Sequence, residues 1–243
     1  MAEKGSNYDI FKMDALKRFL TYNQDALIKR LNLEADKEYI YIIFCGRKYR
    51  IGRSEPVMEY QNLYGRKADE DSGEVVSGNS FELVSGNLSD QTGGCWKEAD
   101  SNGVLTICDL LCHTEDPIVL SGTFTTLEGL NRVKAGSGTI LGDGFYGSTE
   151  RYFDGHAKEL SAACEMLGGV PMGKGDVAYR IPLFGSIALQ ISFYESDDEF
   201  PAKLTFFLDK DICDYLFYET LWYMIGFVME TLKEIMEGVS PRL

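Results

Sequence analysis

Helices and strands come in unequal groups along this chain, which predicts an α+β fold built on mainly antiparallel strands with helices near both ends. Two observations carry that prediction. Three apolar runs, Asp176 to Pro182, Ser186 to Tyr194 and Lys203 to Leu208, follow one another with only short polar turns between them. Helical periodicity governs both the first thirty residues and the last twenty-five, and strands do not alternate regularly with helices as they do in a doubly wound parallel sheet.

The elements follow in order. Phe11, Ala15 and Phe19, then Leu27 and Leu31, recur at helical spacing, so Tyr8 to Leu31 reads as one helix or two with a joint near Tyr22 to Gln24, with Ser6 and Asn7 as N-cap candidates. Tyr39 to Cys45 and Lys48 to Gly52 read as a hairpin about Gly46-Arg47, with a third short strand at Val57 to Tyr60. Residues 61–102 are rich in Ser, Gly, Asn and acids, and read as a polar insertion where the chain is expected to vary or move. A helix from Val104 to His113 and a strand from Ile118 to Thr125 are predicted next. Phe153, Ala157, Leu160, Cys164 and Leu167 then place one amphipathic helix ending at Gly168-Gly169. Tyr218 to Glu237 reads as the closing helix. The 243 residues show neither an internal repeat nor a low-complexity tract, and are read as a single domain.

Charge and cysteine usage narrow the classes. Thirty-eight acidic against 24 basic residues leave a formal charge of −14, which repels phosphate backbones and anionic membrane surfaces. Nucleic acid and membrane are therefore not expected partners. The uncharged stretch Thr220 to Met229 falls short of the ~20 apolar residues of a spanning helix. Six scattered cysteines behind a polar N-terminus point to a reducing, cytoplasmic setting.

Four constellations are candidates for chemistry. The carboxylates Glu195, Asp197, Asp198 and Glu199, with Asp209 and Asp211, could bind a hard cation or supply an acid-base pair. They also fit a solvated turn before Pro201, with Asp209 bracing the backbone up to Asp214. Cys108, Cys112 and His113 stack on one helix with Asp109 placed to reach His113 at i,i+4, so a soft-metal site is conceivable, completed by His156 or Cys164. Small core cysteines read equally well. Gly136 to Gly147 has neither a Walker lysine nor a dinucleotide fingerprint, and reads as a loop. The aromatic group Tyr215, Phe217, Tyr218, Trp222, Tyr223 and Phe227 reads as a helix core face, or as a dimer face anchored by Trp222.

Read together, Gly175-Asp176, Ile187 to Phe193, Asp198-Glu199-Phe200-Pro201, Phe207 with Asp209, and Tyr215-Leu216 with Glu219 form an ordered signature. It resembles that of an uncharacterised prokaryotic domain-of-unknown-function family found in anaerobes. Leu110 to His113 and Phe44 to Ile51 resemble the family's leucine-rich helix and early hairpin. The resemblance implies no activity. By analogy it suggests an association with iron–sulfur or corrinoid proteins, although these six cysteines lack cluster spacing and no cofactor is expected in this chain itself. The leading expectation is an accessory or binding protein without enzymatic activity. One alternative is a metal-dependent hydrolase-like enzyme using Asp198, Glu199 or Asp209 with His113. The other is a homo-oligomeric structural or interaction module.

Overall fold

In the computed structural model, residues 7–63, 95–114, 117–130 and 144–239 are described, and they form an α+β structure with two antiparallel sheets. The N-terminal region is helical in two pieces, α1 (Asn7–Phe19) and α2 (Gln24–Arg30). The joint lies where the sequence suggested, because the Asn23 side chain accepts from the Ala26 amide and starts a new helix.

The first sheet is a meander of β1 (Glu34–Ala35), β2 (Tyr39–Phe44), β3 (Arg47–Gly52), β4 (Met58–Asn62) and β5 (Lys97–Glu98), in that spatial order. Along β2, Ile40, Ile42 and Phe44 face inward while Tyr39, Tyr41 and Ile43 face the partly wetted side. The β2–β3 turn is Cys45-Gly46, one residue earlier than the sequence reading. Both residues have positive φ (46° and 69°), the conformation that matches the twist of a two-residue hairpin. The Cys45 amide also donates to Leu183 O at 3.0 Å, so this turn is hydrogen-bonded to a strand of the second sheet.

At the rims of the polar insertion β4 and β5 pair, and Asp100 caps the next helix, α3 (Ser101–His113), by accepting from the Gly103 amide. The short runs Glu74 to Val76 and Ser80 to Val84 lie outside the described residues. The expected strand from Ile118 to Thr125 shrinks to β6 (Phe124–Thr125). Upstream of it the backbone is tied by side chains, with the Val119 amide donating to the Tyr215 hydroxyl and that hydroxyl to Val119 O.

The single helix expected from Phe153 to Leu167 is broken into α4 (Gly144–Phe153) and α5 (Ala157–Met166). Gly155, at φ 76°, turns the chain between them. The apolar spacing survives the corner, so periodicity alone could not reveal it. Gly144 to Gly147, assigned to a loop by composition, begins α4; Gly136, Gly138 and Gly142 fall outside the described residues.

The second sheet runs β6, β10 (Lys203–Asp209), β9 (Ile187–Tyr194), β8 (Val177–Phe184) and β7 (Val170–Pro171). Helix α5 packs on β8, and α4 on β10. The last helix, α6 (Tyr218–Val239), buries Leu221, Met224, Ile225, Phe227, Val228, Leu232, Ile235 and Met236 against α3, α5 and the first sheet. Glu219, Glu230, Glu237 and Gly238 are exposed, with Tyr218, Trp222, Tyr223, Lys233 and Glu234 half-buried beside them. A Cβ on Gly226 would come within 3.1 Å of the Asn102 amide nitrogen on α3, so glycine permits the close approach of these two helices.

Where α6 meets the first sheet, the Arg47 guanidinium lies 4.6 Å from the Tyr60 ring centre and 5.1 Å from that of Phe227, and pairs with Glu234. Glu234 also accepts from Asn62 at 3.1 Å. Removing the carboxylate would take the anionic partner from a nearly buried cation, at a cost moderated because Glu234 itself is partly solvated. Glu234→Ala is expected to destabilise the protein by about 2 kcal/mol in urea unfolding; a loss below about 0.5 kcal/mol, the scale of an exposed pair, would show that the pair does not hold α6 to the sheet.

Candidate functional site at the junction of α1, α3 and α6

The outer face of α3 forms the floor of a groove. Ala15, Arg18, Phe19 and Tyr22, on α1 and just beyond it, make one wall, and Phe217, Thr220 and Tyr223 at the entry to α6 make the other. Leu105, Cys108, Asp109, Cys112 and His113 rise from the floor, because residues three, four and seven apart share a helix face. The volume is about 170 Å³.

The polar centre is the pair that the sequence spacing suggested. His113 Nδ1 lies 2.7 Å from Asp109 Oδ1 and 3.1 Å from the main-chain oxygen of Asp109. The Nδ1 hydrogen is better aligned with the main-chain oxygen, which leaves Oδ1 buried, in close contact with the ring, and without a well-formed hydrogen bond. Oδ2 accepts from the Phe217 amide at 3.0 Å and so fixes the chain entering α6. With Nδ1 occupied, the neutral ring presents Nε2 as an acceptor, 3.5 Å from the Tyr22 hydroxyl. The Phe217 ring lies 4.5 Å from the imidazole and is more than half exposed.

Cys108 and Cys112 share this floor, but the site disfavours their thiolates. Burial pushes the Cys112 thiol up to about 11, with the Asp109 charge acting in the same direction, and burial raises Cys108 further. Among the described residues no three His, Cys, Asp or Glu side chains converge as metal ligands. His156 and Cys164 do not complete the set: His156 stands before α5 with Nδ1 near Asp154 O, and Cys164 is buried in the core.

The carboxylates near the C-terminus lie outside the groove, and Glu195, Asp197 and Asp209 hold backbone. Asp154 accepts from the Ser196 amide and hydroxyl, Glu195 from the Ala157 amide, and Asp176 from the Glu195 amide. Together they staple the end of β9 to the α4–α5 corner. Asp197 caps its own turn by accepting from Glu199 and Phe200, while Asp198 and Glu199 are exposed. Asp209 is buried and accepts from the Ser121 amide and hydroxyl and the amides of Gly122 and Asp211. Neither Asp198, Glu199 nor Asp209 lines the groove with His113.

Tyr22 and Phe217 were not singled out as partners of His113 by the sequence. They come from elements far apart in the chain, and the only available signal was the i,i+4 spacing of Asp109 and His113.

Two antiparallel sheets, helices packed against them and a small groove closed by distant helices define an α+β protein with one candidate ligand site. The family model "Domain of unknown function (DUF3786)" matches residues 90–231, more than half of the chain, and the chain belongs to that family. No curated protein and no solved structure matches it. No helix among the described residues is long and apolar enough to cross a membrane.

For Asp209, burial alone would raise the carboxyl; the hydrogen bonds from Asp211, Ser121 and Gly122 outweigh it and hold the group below the usual carboxylate range. Asp36, bonded by the Tyr41 hydroxyl and the Tyr39 amide, is held down as well. A depressed folded pKa contributes stability that is present above the unfolded value and lost as pH falls through the folded one. Stability is therefore expected to drop below about pH 4, and Asp209→Asn to lose about 2 kcal/mol at pH 7 while flattening that acid limb. An unchanged acid limb in the variant would remove Asp209 from the account. Alkylation at pH 8 followed by mass spectrometry is expected to modify exposed Cys95 first and Cys112 much more slowly; preferential labelling of Cys112 would contradict the thiol environment described.

Proposed function

We propose that this DUF3786 member is a cytoplasmic accessory or binding protein whose ligand site is the groove between α1, α3 and α6. The observation that carries this reading is the His113 imidazole, oriented from below by Asp109 and presenting Nε2 beside Tyr22 and the exposed Phe217 ring. An oriented acceptor between aromatic surfaces is a recognition element. The groove is smaller than the roughly 300–1,000 Å³ of a site that encloses a drug-sized molecule, so it suits the end of a ligand or a single protruding side chain.

The hydrolase alternative draws less support. It needs Asp198, Glu199 or Asp209 beside His113, and none of the three lines the groove. The oligomer alternative depends on Trp222, whose ring packs edge-on against Phe145 at 5.1 Å and near Tyr218 at 6.4 Å, contacts within the chain itself. Iron–sulfur and corrinoid association enters as a choice of ligands to test.

Thermal unfolding of the wild type and of His113→Ala against divalent cations, corrinoids, nucleotides and small amines tests the reading. A ligand at a hundred times its Kd stabilises by about 2.7 kcal/mol, or roughly 5–10 °C for a chain of this length. The expected result is such a shift in the wild type that is lost in His113→Ala. A ligand that shifts both equally would place the site elsewhere.

A further inference from the structure

Resting on that reading of the groove, we infer that it recognises an organic ammonium group, with His113 Nε2 accepting an N–H from the cation and the rings of Phe217, Tyr22 and Tyr223 flanking it. Three features of the site converge on that ligand class.

The first is charge. The Asp109 side chain is 8% exposed, and its Oδ1 is a buried acceptor without a well-aligned donor. A buried carboxylate lining a cavity is poorly screened, so its field at the groove outweighs that of a charge standing in solvent. Arg18, the one Lys or Arg among the lining residues, is exposed at the rim, and Arg30, which donates to Leu111 O, is a second cation near the floor. The second is hydrogen bonding. With Nδ1 directed at the main-chain oxygen of Asp109, the ring that carries its proton there offers a lone pair at Nε2. A ligand with N–H groups matches that acceptor, whereas a carboxylate ligand would meet it lone pair to lone pair. The third is the wall chemistry. Aromatic faces attract cations through their quadrupoles, and Tyr22, Phe217 and Tyr223 supply such rings around a volume of about 170 Å³. That space accommodates an aminoalkyl terminus.

At Cys112 burial and the Asp109 charge oppose the thiolate, while Arg18 and Arg30 act the other way.

The test is an NMR titration of the full chain at pH 8, following the resonances of Tyr22, His113 and Phe217 with n-butylammonium, n-butanol and butyrate as matched probes. Saturable shifts with n-butylammonium, at least tenfold stronger than with the alcohol or the acid, are expected. Arg18→Gln should tighten n-butylammonium binding about threefold by removing a like charge, and Phe217→Ala should weaken it about three- to tenfold. Asp109→Asn retains an acceptor for the Phe217 amide and should abolish the preference for the cation. If butyrate or butanol binds as well as the ammonium, or Arg18→Gln leaves the affinity unchanged or weaker, the ammonium assignment is overturned while the groove stands as a binding site. If no probe perturbs the groove and the ligand panel above also produces no His113-dependent shift, the assignment and the binding reading fall together.

Discussion

The burial of α6 is the constraint on which the rest of this structure depends. Apolar side chains cover well over half of its circumference, so the helix cannot stand at the surface and must be enclosed. Helices α3 and α5 and the first sheet supply the enclosure. Phe227 illustrates the packing, with Phe44 and Tyr49 of the sheet at 5.5 and 6.4 Å and the Arg47 guanidinium against its face. The buried side chains of both sheets and of the helices form one continuous cluster.

The candidate site follows from that enclosure. Helix α3 approaches α6 closely at Gly226, which sets the far wall of the groove, and α1 lies along α3 to set the near one. Asp109 then performs two tasks at once. One carboxylate oxygen holds the Phe217 amide at the entry to α6, and the other lies against His113. The residue that orients the imidazole thus also positions the aromatic ring beside it, coupling the packing of α6 to the geometry of the groove.

Much of the fold was legible in the sequence because it is written in local periodicity. Ile187 to Phe193 alternates strictly and forms β9; Leu204, Phe206 and Leu208 do the same in β10; the closing helix begins at Tyr218 as its apolar arc requires. The α4–α5 corner was hidden because Phe153, Ala157 and Leu160 keep helical spacing across Gly155. The segment before β6 looked like a strand because its apolar residues fit one, yet its backbone is held by Tyr215 and Asp209 in place of a ladder partner. For the site, the Asp109–His113 pair could be read from helical spacing. Its aromatic walls could not, since Tyr22 and Phe217 meet His113 only through tertiary packing. The acidic run drew attention for its density of charge, and three of its members bond to backbone: Glu195, Asp197 and Asp209 accept from main-chain amides.

Packed directly on the first sheet and through α5 on the second, α6 unites both sheets and the groove in one cooperative unit. Native-state hydrogen exchange tests it most directly. The account predicts that the amides of Met224 to Leu232, of Ile40 to Ile42 in the first sheet and of Leu189 to Ile191 in the second exchange only through global unfolding, with equal opening free energies and equal dependence on denaturant. If the first sheet opened at a markedly lower free energy while α6 and the second sheet stayed protected, the claim would be contradicted.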